Sequence, residues 1–308
     1  MNNKVIYSSE IQNRLPVFHK AFWLDVFGKS NWDVAIVEKD QKVVVSMPYF
    51  FQNSVFGLKI QMPFLTQFLG PYFHQKDIPI QEQHKLLDEL LIKLPKYASC
   101  HQRCSPQLTN WLPYYWNGFQ QSVRYTYQIN YHQGLDSIWK SMQENRRRNI
   151  KKAEKIFLVQ KENSISEVYQ FIDATYSRKD MHSGFGDQEL QKLLQACLDN
   201  QALEVFFAYK DGKKVGVVVM IHDSISAYYL MGGTLDEYLK TGVMSLLLWE
   251  AIKYFHKKVD CFDFEGSMNR GIESFFSSFG SVQTPYFDLN KVDSPYLRFY
   301  QNCKKLIR

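Results

Sequence analysis

The sequence predicts a mixed α/β fold made of two similar halves. Between Ala227 and Gly280 the residue pattern reads strand, loop, helix, strand, loop and helix. Two strands joined through a helix are most often parallel neighbours, with a ligand crevice at their carboxyl ends. A comparable order of elements precedes this stretch. With 308 residues, the chain is also long enough for two domains that each bury a core.

Hydrophobic periodicity and turn residues define the predicted elements. In the first half these are a helix at Phe18–Phe27, strands at Trp32–Val37, Val43–Phe50 and Val55–Met62, a helix at Gln81–Leu94, a strand at Ala98–Cys104, a short helix at Leu108–Trp116 and a strand at Val123–Tyr131. In the second half they are helices at Leu135–Lys155, Ser166–Lys179 and Asp187–Leu198, a hairpin opening at Leu203, a strand at Ile225–Met231, a helix capped by Thr241, a strand at Val259–Glu265, a helix capped by Asn269, a strand at Val282–Leu289 and a helix at Pro295–Ile307.

The two halves match element by element. The segment Leu203–Gly212 aligns with Trp32–Gln41, and the helix containing Met244 corresponds to the Gln81–Leu94 helix. We interpret the chain as a diverged duplication. The predicted domains are residues 1–132 and 133–308.

Composition indicates a folded globular protein, with 45% hydrophobic and 16% aromatic residues. The formal charge of +6 suits anionic ligands such as phosphates or lipid head groups but is too small to predict nucleic-acid binding by itself. Five scattered cysteines favour a reducing compartment, and their spacing does not match a zinc site. Neither a signal peptide nor a membrane-spanning run is predicted. We therefore expect a cytoplasmic protein, which a lipid-linked substrate would bring to the inner membrane surface.

Glycines and carboxylates near two strand ends are candidates for chemistry. Gly232 and Gly233 close the central strand, where a ligand can approach the backbone closely and freed N–H groups can stabilise an oxyanion. Asp263 and Glu265 alternate onto one face of the next strand. A carboxylate pair held close has one raised pKa, as a general base requires. Alternatively, one of the two pairs with Arg146 or caps the next helix.

Arg146 lies on an otherwise apolar stripe of the predicted Leu135–Lys155 helix. A buried arginine must be paired or hydrogen-bonded. We expect it either to contact a phosphate or carboxylate of the substrate or to form an internal ion pair, with Glu265 preferred over Asp263. Its neighbours, including Arg148, either line the same site or form a solvated basic face.

Two further residues are candidates for binding or proton transfer. His182 lies in a glycine-containing linker, residues 180–186, whose composition suits a mobile lid, but a lone loop histidine is more often solvated. Tyr229 is a possible proton relay, although aromatic residues at strand positions are more often core.

Three motifs resemble the GNAT superfamily of acyltransferases and, within it, the Fem-like branch of tandem-domain enzymes. They are the loop before the Met244 helix, the run Asp263–Ser267 followed by a helix closing in Phe279–Gly280, and the basic run Arg146–Ala153. The resemblance covers most of the chain. It implies tandem GNAT-like domains, each a mixed twisted sheet flanked by helices, with the donor site in the second.

The resemblance also implies where a donor binds. Superfamily members carry a diphosphate loop, Gln/Arg-x-x-Gly-x-Gly/Ala, and here Gly242 matches while Leu239 and Met244 occupy flanking positions. The bulky Met244 would crowd a diphosphate. The implied binding residues for the anionic part of an acyl-CoA donor are Lys240, Thr241, Gly242, Val243 and Met244. No metal is expected.

The implied function is transfer of an acyl group from an activated, acyl-CoA-like donor to an amine. The acceptor would be an amino sugar or amino acid, free or linked to a nucleotide or lipid, in cell-envelope or polysaccharide synthesis. Catalysis would rest on Asp263, Glu265, Gly232 and Gly233, and acceptor binding on Arg146, Arg148, His182 and Tyr229. The alternatives are an aminoacyl-tRNA-dependent transferase of the Fem type, although the coiled-coil arm of many such enzymes is lacking, and a ligand-binding protein without catalysis.

Overall fold

The computed structural model describes residues 3–177, 186–266 and 268–306. Its helices are α1 (Asn3–Glu10), α2 (Ala21–Val26), α3 (Ile80–Ile92), α4 (Leu112–Trp116), α5 (Leu135–Ser141), α6 (Glu144–Ala153), α7 (Val168–Ser177), α8 (Asp187–Asp199), α9 (Val243–Phe255), α10 (Arg270–Ser277) and α11 (Pro295–Leu306). Its strands are β1 (Trp32–Lys39), β2 (Lys42–Ser54), β3 (Gly57–Gln61), β4 (Tyr72–Phe73), β5 (Ser99–Arg103), β6 (Gln120–Asn130), β7 (Leu158–Lys161), β8 (Leu203–Lys210), β9 (Lys213–His222), β10 (Ser226–Thr234), β11 (Cys261–Asp263) and β12 (Val282–Val292).

The chain divides into two compact units. Unit 1 comprises Met1–Arg124 together with Pro285–Arg308, and unit 2 comprises Tyr125–Thr284. This division differs from the predicted domains 1–132 and 133–308. The reason is strand pairing, which local sequence patterns do not reveal. The end of β12 pairs with β5 in unit 1, and the end of β6 pairs with β11 in unit 2.

Both units have the same strand order. The sheet of unit 1 runs β1-β2-β3-β5-β12, and that of unit 2 runs β8-β9-β10-β11-β6, with β7 added beside β8. In each unit one pair of strands is parallel, β3 with β5 and β10 with β11. Each parallel pair is connected through a helix, α3 or α9, as a crossover requires. The predicted mixed α/β architecture with an internal repeat is therefore confirmed.

The two long hairpins show the repeat in detail. β1 and β8 each have eight residues and nearly the same alternation of buried positions. Their turns use positive φ at Asp40 and Gln41 and at Asp211 and Gly212. The pairing register shifts after Val37 in one hairpin and after Ala208 in the other. These positions are equivalent in the alignment, so a bulge and a turn type are both repeated.

Helix α9 forms the centre of the unit 2 core. Its residues Leu247, Leu248, Ala251 and Ile252 recur at the spacing of one helix face, and all four are fully inaccessible to solvent. They pack with side chains from β6, β9, β10 and β11 into one hydrophobic cluster. This packing fixes the position of α9 and therefore the position of its first turn.

Two of the predicted elements that surround the site differ clearly from the structure. The predicted Leu135–Lys155 helix is two helices, α5 and α6, because the backbone of Met142 is extended (φ −63°, ψ 146°). The N–H of Gln143 then donates to the Ser278 carbonyl instead of continuing the helix. The predicted Val259–Glu265 strand is shortened to β11.

Candidate functional site

The strands β10 and β11 separate part-way along their length. They are paired from Ser226 and Cys261 to Tyr228 and Asp263, where β11 ends. β10 continues to Thr234 beside β9, so Gly232 and Gly233 lie within this strand rather than after it. In an antiparallel pair, alternate residues direct their backbone groups away from the partner strand. Part of the β10 backbone therefore points into the opening that β11 leaves.

A bulge in β10 lies at this opening. The register with β9 shifts between Tyr229 and Met231, which inserts one extra residue. A side-chain carbon at Gly232 would lie 2.7 Å from the Tyr229 hydroxyl and 3.0 Å from Met244 Cε. The structure therefore brings these three predicted site residues together. The backbone oxygen of Val217 would lie 2.8 Å from the same carbon, so position 232 accommodates only glycine.

Helix α9 begins beside helix α6. Its N-cap is Gly242, in the left-handed conformation (φ 85°), rather than Thr241 as predicted. The Thr241 hydroxyl instead donates to the Tyr238 carbonyl, over 2.6 Å. A side chain at Gly242 would lie 2.7 Å from the Asn149 carbonyl of α6, so the glycine is needed for this packing. Lys240 is exposed just before this point.

The first turn of α9 is suited to an anion. It contains Val243 and Met244 and no acidic residue. The N–H groups of a first helical turn lack partners within the helix, and the helix dipole favours negative charge there.

Arg146 connects three helices, and the predicted ion pair with Glu265 or Asp263 is not formed. Its Nε donates to Ser278 Oγ over 2.8 Å, and its Nη1 donates to Ser245 Oγ in the first turn of α9. The guanidinium also lies 4.2 Å from the ring centre of Phe275. Seryl hydroxyls from distant parts of the chain take the place of the expected carboxylate.

The partners of the Arg146 guanidinium are therefore neutral groups, namely two seryl hydroxyls and an aromatic ring. Burial lowers the pKa of Arg146 to about 10. Within residues 3–177, 186–266 and 268–306, no carboxylate forms an ion pair with it. A positive charge beside the first turn of α9 reinforces the attraction of that turn for an anion.

The outer side of α6 carries a basic surface, which we define as Arg148, Lys151 and Lys152. All three side chains are exposed. The ion pairs of the described part of the chain do not include them. This surface belongs to the same helix that packs on Gly242.

Asp263 is fully buried at the point where the strands separate. It accepts hydrogen bonds from the Thr126 hydroxyl, from Gln128 Nε2 at 2.8 Å and from the Glu265 N–H at 2.7 Å. Burial raises the pKa of Asp263 to about 6, although these three donors oppose the shift. Its carboxyl group thus shapes the turn that follows β11.

Glu265 does not share a strand face with Asp263, in contrast to the prediction. β11 ends at Asp263, and both Glu265 (φ 58°) and Gly266 (φ 63°) are left-handed. A side chain at Gly266 would overlap the Tyr125 carbonyl oxygen and lie 2.6 Å from Thr126 Cα. The turn depends on this glycine, and it leaves Glu265 partly exposed.

Sequence reasoning missed the polar residues that hold the site together. Ser245, Ser278 and Thr126 are buried, and each bonds a predicted site residue. Ser245 could have been noticed as a polar residue within the apolar first half of α9. His182 lies outside the described residues. Among the residues described, no cluster of His, Cys, Asp or Glu has the geometry to hold a metal ion.

Residues 140–275 match the family model described as an acetyltransferase (GNAT) domain. This region contains the separated strands, α9 and α6. Residues 140–275 therefore form a GNAT domain. The parallel β10–α9–β11 unit is the part of the GNAT domain that contains the opening, and it carries most of the predicted site residues. No curated protein sequence matches the chain significantly.

Solved structures share the fold of the whole chain. The crystal structure of FemX matches with a TM-score of 0.68 and 12% identity, over 92% of this chain and 94% of that one. The C-terminal domain of a putative lysylphosphatidylglycerol synthetase from Agrobacterium fabrum matches with a TM-score of 0.55 and 12% identity, over 93% and 91%. A tandem GNAT protein from the clavulanic acid biosynthesis pathway matches with a TM-score of 0.54 and 8% identity, over 84% and 82%. The chain thus has the fold of Fem-like and tandem GNAT proteins.

Proposed function

We propose that this protein is an N-acyltransferase whose GNAT domain transfers an acyl group from an activated donor to an amine. The observation that carries the proposal is the separation of β10 from β11, directly in front of the first turn of α9. The separation exposes strand backbone to an acyl carbonyl, and the helix end attracts the anionic part of a donor. Both features lie within the region that matches the GNAT family model.

The donor would be held at the start of α9. Its anionic part is assigned to the segment Lys240–Met244, reinforced by Arg146 behind the first turn. Met244 reduces the space available to the donor, because its Cε lies close to Gly232. A donor with a diphosphate, such as acyl-CoA, fits if the flexible Met244 side chain turns aside.

The reaction forms a bond between the acceptor nitrogen and the acyl carbon, and it breaks the bond from that carbon to the leaving group. Negative charge that develops on the carbonyl oxygen would be stabilised by backbone N–H groups of β10 near Gly232 and Gly233. The acceptor ammonium must lose a proton first. Glu265 is the assigned base because it is partly exposed, and Asp263 is assigned the role of holding the Glu265 turn in place.

The acceptor would bind on the open side of β10. Tyr229 is suited to this role because its hydroxyl is at Gly232. Arg148 and His182 remain candidates for contacts to a phosphate or carboxylate of the acceptor. An amino sugar or amino acid linked to a nucleotide or lipid would carry both the amine and such an anion.

A second candidate donor, an aminoacyl-tRNA, is favoured by the basic surface on α6. Exposed cations that lack internal carboxylate partners suit a polyanion. The protein family names of two fold neighbours, FemX and a putative lysylphosphatidylglycerol synthetase, are compatible with aminoacyl transfer. Because these two proteins are only 12% identical to this chain, the matches support a shared fold and nothing more.

Calorimetry with acetyl-CoA and filter binding with aminoacyl-tRNA, followed by acyl transfer to a panel of amines, tests the proposal. An acyl-CoA enzyme should bind acetyl-CoA, and Met244→Ala should tighten that binding by relieving the crowding at Gly232. An aminoacyl-tRNA enzyme should bind RNA with an affinity that falls with salt, and the double variant Lys151→Gln, Lys152→Gln should weaken it. A matched control is Lys253→Gln, on the far end of α9. If neither donor binds and no amine is acylated, the proposal fails.

A further inference from the structure

The C-terminal helix α11 presents aromatic side chains to solvent. Tyr296 is 79% exposed, Phe299 is 72% exposed and Tyr300 is 44% exposed. Their spacing, i, i+3 and i+4, places them on one face of the helix. Leu297, on another face, is buried and attaches the helix to unit 1. The helix therefore has one face for the core and a second apolar face turned outward.

The tip of the β2–β3 hairpin extends this apolar face. The ring of Phe56 lies 5.4 Å from that of Tyr300, centre to centre. Next to it in the chain, Val55 is 93% exposed, the highest value among the exposed large hydrophobic residues of the described chain. We call the group formed by Phe56, Tyr296, Phe299 and Tyr300 the aromatic patch. Contiguous apolar residues of this kind mark interaction surfaces more often than single exposed ones do.

The C-terminal segment that contains α11 has charged residues of a single sign in its sequence. The segment Pro295–Arg308 contains Arg298, Lys304, Lys305 and Arg308 and has no Asp or Glu. Arg298 donates to the Val292 carbonyl at the end of β12, and Lys304 lies 4.9 Å from the ring centre of Tyr300. Lys304 thus borders the aromatic face directly, whereas Arg298 lies on another side of the same helix.

We propose that the aromatic patch and the cations of α11 dock on an anionic phospholipid surface. Tyrosine and phenylalanine suit the boundary between head groups and acyl chains, and lysine and arginine are attracted to anionic lipids. A second copy of the chain is a poorer occupant. A two-fold contact would bring the same cations of both copies together at an apolar interface. The inference is independent of which donor the GNAT domain uses.

Co-sedimentation of the full chain with vesicles tests this assignment. We expect binding to phosphatidylcholine vesicles that contain about one-third phosphatidylglycerol, much weaker binding to pure phosphatidylcholine, and loss of binding as salt is raised. Phe299→Ser together with Tyr296→Ser should lower the partition coefficient at least about tenfold. Lys304→Gln should lower it about fivefold on anionic vesicles, and Arg298→Gln should lower it less because Arg298 lies on another side of the helix.

The matched control is Tyr115→Ser, which removes another exposed aromatic ring of unit 1, on α4 (60% exposed). It should leave the partition coefficient unchanged, and circular dichroism melts should show that every variant is folded. Failure of the wild-type chain to bind anionic vesicles overturns the proposal, as does an equal loss in the control variant. A wild-type dimer in sedimentation velocity that Phe299→Ser dissociates would assign the patch to a second copy and overturn it too.

Discussion

Helices α3 and α9 join equivalent parallel strands in the two units, yet their first turns differ in charge. Both have 13 residues. α3 starts after Pro79 and carries Glu82 in its first turn, where Glu82 forms an ion pair with Lys39 of β1. α9 starts after a left-handed glycine, has no acidic residue in its first turn, and has Arg146 bonded to Ser245.

Because of this difference in charge, we expect the proposed anion site in unit 2 and not in unit 1. In α3 an internal carboxylate already occupies the favourable end of the helix dipole. The first turn of α9 has no acidic residue, and the guanidinium of Arg146 donates to Ser245 in that turn. The two units therefore share a scaffold but differ in the charge at these helix ends, and our proposal assigns the donor to unit 2.

The turn after β11 has positive φ at Glu265 and Gly266, whereas no residue from 104 to 111, after β5 of unit 1, has positive φ. Breaking the turn after β11 should have the largest effect. Gly266→Ala should destabilise the protein by about 3 kcal/mol or more, since the new carbon overlaps the Tyr125 carbonyl oxygen and the residue is left-handed. Gly212→Ala is the matched control. It is also left-handed (φ 77°), but a side chain there meets nothing within 4 Å, so about 1 kcal/mol is expected. Chemical denaturation measures both, and equal losses would contradict the packing argument.

Arg146 of α6 places a positive charge beside the first turn of α9. Its removal should have the next largest effect. Arg146→Ala should cost about 2 kcal/mol of unfolding free energy, because two hydrogen bonds and the contact with Phe275 are lost. Donor affinity should fall about tenfold as well, since a nearby charge is removed. The exposed neighbour Arg148→Ala should change stability by less than about 0.5 kcal/mol. A stable Arg146→Ala protein with full donor affinity would exclude Arg146 from the site.

Asp263 should produce a smaller, pH-dependent effect. Its folded pKa, about 6, lies above its ordinary value of 3.8, so the folded state binds the proton more tightly than the unfolded state does. Its contribution to stability is therefore complete below about pH 4 and is lost as the pH rises through 6. Over this range the wild type should lose about 2 kcal/mol relative to Asp263→Asn. The exposed Asp260→Asn should follow the wild type. Parallel curves for all three proteins would mean that Asp263 is not desolvated as described.

Local patterns were sufficient for the elements that depend on neighbours in the chain. The hairpins, the buried face of α9 and the Asn269 cap of α10 follow from spacing and turn chemistry, and the cap is seen as bonds to Gly271 and Ile272. The repeat between Trp32–Gln41 and Leu203–Gly212 was also readable, because turn and alternation are both local.

Features that depend on distant contacts could not be read from the sequence. The apolar stripe of Leu135–Lys155 continues through Met142, so nothing local marks the break between α5 and α6. The partners of Arg146 are serines far along the chain, and a serine carries no charge that would single it out. Glu265 is left-handed although it is not a glycine, because Asp263 and Gly266 hold the turn.

Hydrogen–deuterium exchange in the presence of donor tests the central claim most directly, namely that unit 2 alone binds the donor. With saturating acetyl-CoA or aminoacyl-tRNA, whichever binds, we expect slower exchange in residues 242–246 at the start of α9. Exchange in residues 80–84 at the start of α3 should be unchanged. Protection at the start of α3, or donor binding that leaves the first turn of α9 unprotected, would contradict the account.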